Sequence, residues 1–109
     1  MIELVETRLD AIRALCRAYG VRRLDLSGSA ATGAFDPETS DLDFVATFAD
    51  TNAPNYAERY LNFADALEAL LGHPVDVVID RSIRNLHFRR AVDATRQLVH
   101  DDRNAPAAA

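Results

Sequence analysis

The stretch that decides the fold runs from residue 24 to residue 48, LDLSGSAATGAFDPETSDLDFVATF. Leu24 and Leu26 alternate with Asp25 in a short strand that leads directly into Ser27-Gly28-Ser29. The small residues Ala30, Ala31, Thr32, Gly33 and Ala34 suit one or two helical turns, closed by the turn-forming Asp36-Pro37. After a polar loop to Ser40, residues 41–48 read as a second strand, with Leu42, Phe44 and Ala46 on one face and Asp41, Asp43 and Val45 on the other.

Working outward, Val5, Leu9, Ile12, Cys16 and Tyr19 recur at helical spacing, so residues 3–19 are expected to form one helix with a buried stripe, stopped by Gly20. Downstream, Tyr56, Tyr60, Phe63, Leu67, Leu70 and Leu71 mark a second amphipathic helix, ended by Gly72 and barred from continuing by Pro74. The run PVDVVID at 74–80 is a third strand, apolar enough to be central yet carrying Asp76. Ser82 is a plausible cap for a last helix to about Ala94, and Gln97 to His100 form a short strand or an irregular close. This order gives an α/β (α+β) sheet with helices mainly on one face. Residues 1–103 are expected to form a single domain and residues 104–109 a flexible tail.

Composition narrows the function. The 109 residues carry a formal charge of -5, and all twelve bases are arginine. An acidic chain lacks the surplus of bases with which a non-specific nucleic-acid binder neutralises phosphates. No apolar run approaches the roughly 20 residues of a membrane-spanning helix. Cys16 has no partner for a disulfide, and the start MIELVETR has acids where a secretory or transit peptide has bases, so a cytoplasmic location is expected. Cys16 reads as a core filler, and His73, His87 and His100 lack metal-ligand spacing and read as turn, surface and terminal residues.

The chemistry lies in the carboxylates. Asp41 and Asp43 are two residues apart, so an extended backbone points both to one face, where a hard cation such as Mg²⁺ would hold both ionised. Asp76 can join them if the second and third strands are neighbours, and three carboxylates can hold two metal ions about 4 Å apart for phosphoryl or nucleotidyl transfer. The Gly28-Ser29 turn follows a strand and opens a helix, an arrangement suited to phosphate.

Taken in order, Gly28-Ser29, Ala31, Gly33, Ser40-Asp41-Leu42-Asp43 and Asp76 resemble the motif set of the DNA polymerase beta type nucleotidyltransferase superfamily, in its smallest, MNT-type members. The resemblance covers roughly residues 20 to 80. It implies a nucleotidyltransferase fold with a small mixed sheet, and Mg²⁺-dependent transfer of a nucleoside monophosphate from a triphosphate such as ATP. It also implies that Asp41 and Asp43 ligate two metal ions, that Asp76 ligates one and helps deprotonate the attacking hydroxyl, and that Gly28 and Ser29 hold the triphosphate. Free-standing MNT-type proteins are often antitoxin partners of HEPN-domain ribonuclease toxins, and some resemble enzymes that attach AMP to a toxin tyrosine.

One position departs from the pattern: Thr32 stands where the family often has Arg or Lys, which removes a positive charge expected near the triphosphate. Arg81, Arg84, Arg89 and Arg90 are candidates to compensate, to steer a nucleotide or to dock a partner, against the plainer role of a solvated helix face. Three functions follow from this reading: a protein adenylyltransferase acting on a HEPN toxin, a catalytically weak antitoxin acting by contact, and a small-molecule nucleotidyltransferase. The absence of a substrate domain weighs against the third.

Overall fold

A computed structural model describes residues 1–102; the expected flexible tail lies outside the described residues. Four strands form one mixed sheet: β1 (Val21–Ser27), β2 (Leu42–Phe48), β3 (Val75–Ile79) and β4 (Gln97–Asp101), in the order β3-β2-β1-β4. β1 runs antiparallel to β2 and to β4, and β2 and β3 are parallel. The helices are α1 (Glu3–Glu6), α2 (Leu9–Tyr19), α3 (Gly28–Thr32), α4 (Tyr56–Leu71) and α5 (Leu86–Thr95), with a 3-10 turn at Asp80–Ser82.

Helices α1, α2 and α4 cover one face. Val5, Ile12, Cys16, Phe63, Leu67 and Leu71 pack there against Leu24, Leu26, Leu42, Phe44 and Ala46 in one buried cluster. Each large side chain removed from water contributes on the order of 1.5–3 kcal/mol. Phe48 meets Tyr56, Tyr60 and Phe63 edge-on, so the aromatic series of α4 belongs to this core. Burial pushes the Cys16 thiol up to about 12, with Asp102 adding to the rise, which makes it an inert filler. Among the described residues, the opposite face carries α5 and the segment before it, through a smaller cluster of Val45, Ile83 and Val92 with Val78 against it.

Four expectations need correction. The first helix is broken: Thr7 turns its hydroxyl back onto the Glu3 carbonyl at 2.9 Å, and the Arg8 N–H bonds to Val5, three residues back instead of four. β3 is an edge strand, and the exposed Asp76 needs no buried partner there. The cap of α5 is Asn85, whose side chain accepts from the Phe88 N–H at 3.0 Å, while Ser82 sits in the 3-10 turn. His100 is a buried residue of β4, with Nε2 2.7 Å from Asp102 Oδ1.

Candidate functional site

Strand register builds the site. Ser27 of β1 lies opposite Asp43 of β2, and Asp43 lies opposite Asp76 of β3. Residues paired across strands project to the same side of a sheet, so Ser27, Asp43 and Asp76 form one row. The next row on that side is Asp25, Val45 and Val78. Helix α5 covers that second row through Val92 and leaves the carboxylate row open, with Asp76 exposed and Asp43 half-buried.

Immediately after Ser27 the chain turns at Gly28, where φ is +63°. The Asp43 carboxylate is set against this glycine: a Cβ added to Gly28 would overlap Asp43 Oδ2 and come within 3.1 Å of its Cγ. Glycine is therefore required here both by backbone conformation and by the approach of the acid. Helix α3 begins at this point, so its first N–H groups, which have no partner within the helix, open beside Asp43. Gly28→Ala is expected to destabilise the fold by about 1–2 kcal/mol and to displace the Asp43 carboxylate. Denaturant melts and a crystal structure of the variant would check both effects.

Burial, then Asp76, then Asp41 push the Asp43 carboxyl above its ordinary pKa of 3.8. Asp41 is exposed and lies just before the first residue of β2, outside the strand ladder. Among the described residues, no three His, Cys, Asp or Glu side chains come together closely enough to hold a metal ion by themselves. The structure thus brings Asp43 and Asp76 into register with Asp41 in electrostatic reach. Any cation there would need further oxygen ligands.

The donor chemistry nevertheless suits Mg²⁺. All three side chains offer hard carboxylate oxygens, and Mg²⁺ is usually bound by one or two carboxylates with its other positions filled by water and substrate phosphates. The excess negative charge that raises the Asp43 pKa is what a divalent cation would relieve.

Behind the open row lies a charged network that the sequence did not reveal. Asp25 is fully buried and receives Arg96 Nε at 2.9 Å, Arg96 Nη2 at 2.5 Å and Arg23 Nε at 3.0 Å. Arg96 also reaches Asp80 and Asp93, each at 3.1 Å. Burial would raise the Asp80 pKa, but hydrogen bonds from Arg89 and Arg96 outweigh it and hold this carboxyl below the usual range. Arg89 is thereby withdrawn from the proposed basic cluster, bonded at 2.5 Å to Asp80 Oδ1 and at 2.6 Å to the Asp80 carbonyl. Arg81 bonds to Thr51 at 3.1 Å, while Arg84 and Arg90 are exposed. The one available signal was an acid flanked by leucines at Asp25, which strict alternation reads as outward-facing.

A mixed sheet that sets a Gly-Ser turn and a short helix beside two facing aspartates defines a nucleotidyltransferase core. The chain belongs to the nucleotidyltransferase domain family, which it matches over residues 10–99. It is 35% identical over 75 residues, 69% of this chain and 73% of the other, to a Methanocaldococcus jannaschii protein described as a candidate protein adenylyltransferase. A solved structure described as a candidate minimal nucleotidyltransferase superposes with a TM-score of 0.71 at 30% identity, over 88% of this chain and 95% of that one. A Shewanella oneidensis complex of a tri-AMPylated HEPN toxin with its MNT antitoxin shares the fold, with a TM-score of 0.61 at 20% identity over 88% and 71% of the two chains.

Proposed function

We propose that this nucleotidyltransferase is a protein adenylyltransferase, transferring AMP from ATP to a hydroxyl of a HEPN ribonuclease toxin and acting as its antitoxin in the cytoplasm. The observation that carries this reading is the register that sets Asp43 opposite Asp76 beside the Gly28 turn. The relatives support it, since one is described as a candidate protein adenylyltransferase and another pairs an AMPylated toxin with an MNT protein.

In this reading the N–H groups that open α3 and the Ser29 hydroxyl hold the triphosphate. Asp41, Asp43 and Asp76 would hold two Mg²⁺ ions, which when bound neutralise phosphate charge and lower the pKa of the attacking hydroxyl. An Asp76 carboxylate oxygen takes the acceptor's proton. The acceptor oxygen forms its bond to the α-phosphorus as the bond to the bridging oxygen of pyrophosphate breaks.

Leu86, Phe88, Arg84 and Arg90, in and just before α5, are exposed and offer apolar and basic side chains to a protein partner. Incubation with the partner and labelled ATP tests the assignment: label should move to the partner, and an inert partner would refute it.

Thr32 favours a second reading, that of an antitoxin acting by contact with weak catalysis. Its hydroxyl turns back to the Ser29 carbonyl at 3.3 Å, and it supplies no positive charge. Thr32→Arg is expected to raise the transfer rate about 10-fold, the scale of one charge-assisted phosphate contact. Toxin neutralisation that persists in a folded Asp41→Ala/Asp43→Ala double variant would favour the contact reading, and its loss would favour transfer.

A further inference from the structure

Asp41 lies outside the β2 ladder, so the regular bonds of the sheet do not orient it. The loop that delivers it, residues 33–41, is exposed at most positions. Yet both peptide units flanking its Cα are held, and by consecutive residues of one segment. The Ser40 carbonyl, which belongs to the peptide unit preceding Asp41, lies 2.7 Å from His73 Nε2. The Leu42 N–H, in the unit that follows, donates to the Pro74 carbonyl at 3.0 Å.

A carbonyl oxygen only accepts, so His73 must carry its proton on Nε2. The ring is fixed from its side by Phe35, with centroids 5.2 Å apart and planes tilted by 56°. The loop is braced internally as well: the Ser40 N–H donates to the Asp36 carbonyl at 2.8 Å, and the Asp36 N–H donates to Ser40 Oγ at 3.1 Å. His73 and Pro74 lead directly into β3, the strand that carries Asp76. One turn therefore fixes the backbone around Asp41 and launches the strand of Asp76.

We infer that His73 is a positioning residue for the site, donating from Nε2 to the Ser40 carbonyl so that Asp41 is held toward Asp43 and Asp76. The inference rests on the reading of these carboxylates as cation ligands. It assigns a role to a histidine that touches neither nucleotide nor acceptor. A residue that orients a ligand in this way typically accounts for 10–100-fold in metal affinity.

The test separates the donor from the ring. His73→Phe keeps an aromatic ring against Phe35 and removes the donor, whereas His73→Gln keeps a side-chain N–H and removes the ring. Mn²⁺ affinity, measured by electron paramagnetic resonance on each full-length protein, is the readout, with thermal melts showing that each variant is folded. His73→Phe should weaken Mn²⁺ binding about 10-fold, and His73→Gln should restore most of the loss. Wild-type affinity in His73→Phe, or equal losses in both variants, would overturn the inference while leaving the carboxylate site standing. If the wild-type protein binds no Mn²⁺, the cation reading falls and the inference with it.

Discussion

Asp43→Asn is expected to abolish nucleotidyl transfer and, at neutral pH, to make the protein more stable. The loss follows from position, because Asp43 is the acid that faces Asp76 across the strands and touches the Gly28 turn. A fall of at least about 10³-fold in rate is the scale for removing one electrostatic stabiliser of the transition state. The gain follows from the forces that raise the Asp43 pKa: burial first, then Asp76 and Asp41. A carboxyl whose folded pKa lies above its unfolded value of 3.8 binds protons more readily in the folded state. Its stabilising contribution is complete below pH 3.8 and is lost as pH rises through the raised folded value. The wild type is therefore at a disadvantage at pH 7, which asparagine removes, by up to about 1 kcal/mol for a partly exposed group of like charges. Thermal melts of both proteins from pH 7 downward should show the difference closing as pH approaches 3.8. A variant less stable than wild type at pH 7 would contradict this account.

The largest loss of stability is expected at Arg96. Its guanidinium makes two of the bonds to the fully buried Asp25 and links it to Asp80 and Asp93, tying β1, the 3-10 turn and α5 together. Arg96→Ala would leave Asp25 with Arg23 alone, and breaking such a pair by removing one partner costs about 3–5 kcal/mol. The cost comes from a buried charge left without compensation, so removing both charges together should recover much of it. In urea denaturation, Asp25→Leu/Arg96→Met should be markedly more stable than Arg96→Ala. If the double variant proves equally unstable, the network contributes through packing and not through charge. The effect reaches function because Asp25 stands two residues before Ser27 on the strand that delivers the Gly28 turn.

Much of this was legible locally. Gly20 and Gly72 end α2 and α4 in left-handed conformations of φ +73° and +61°, as their places after apolar stripes had suggested. The Gly28 turn, its short helix and the strand after Asp41 also followed from neighbouring residues. What sequence did not carry was pairing. The break at Thr7 was hidden because Val5 and Leu9 keep helical spacing across it. β3 reads as central because Val75, Val77, Val78 and Ile79 are apolar, although only Val77 among them is fully buried and α4 covers one side of this edge. Asp76, an acid in an apolar strand, is exposed, while Asp25, which alternation assigns to solvent, is the buried one.

The site divides in the same way. Asp41, Asp43, Asp76, Gly28 and Ser29 were recognisable as residue types at telling positions. The register of Asp43 against Asp76, and the two bonds from His73 and Pro74 that flank Asp41, exist only once distant segments meet. Arginine 89 illustrates the converse: it reads as part of a basic surface, yet Asp80 and the Ile83 carbonyl, brought close by the 3-10 turn, draw it inward.

The most direct test of the account follows the label of ATP in the presence of the proposed HEPN partner, with ³²P placed at either the α or the γ position. Adenylyl transfer moves the α label onto the protein acceptor and leaves the γ label in pyrophosphate. The expected result is α label on the partner, none from the γ position, and none from either in Asp43→Ala. Label arriving from the γ position, or α label that persists in Asp43→Ala, would contradict the central claim.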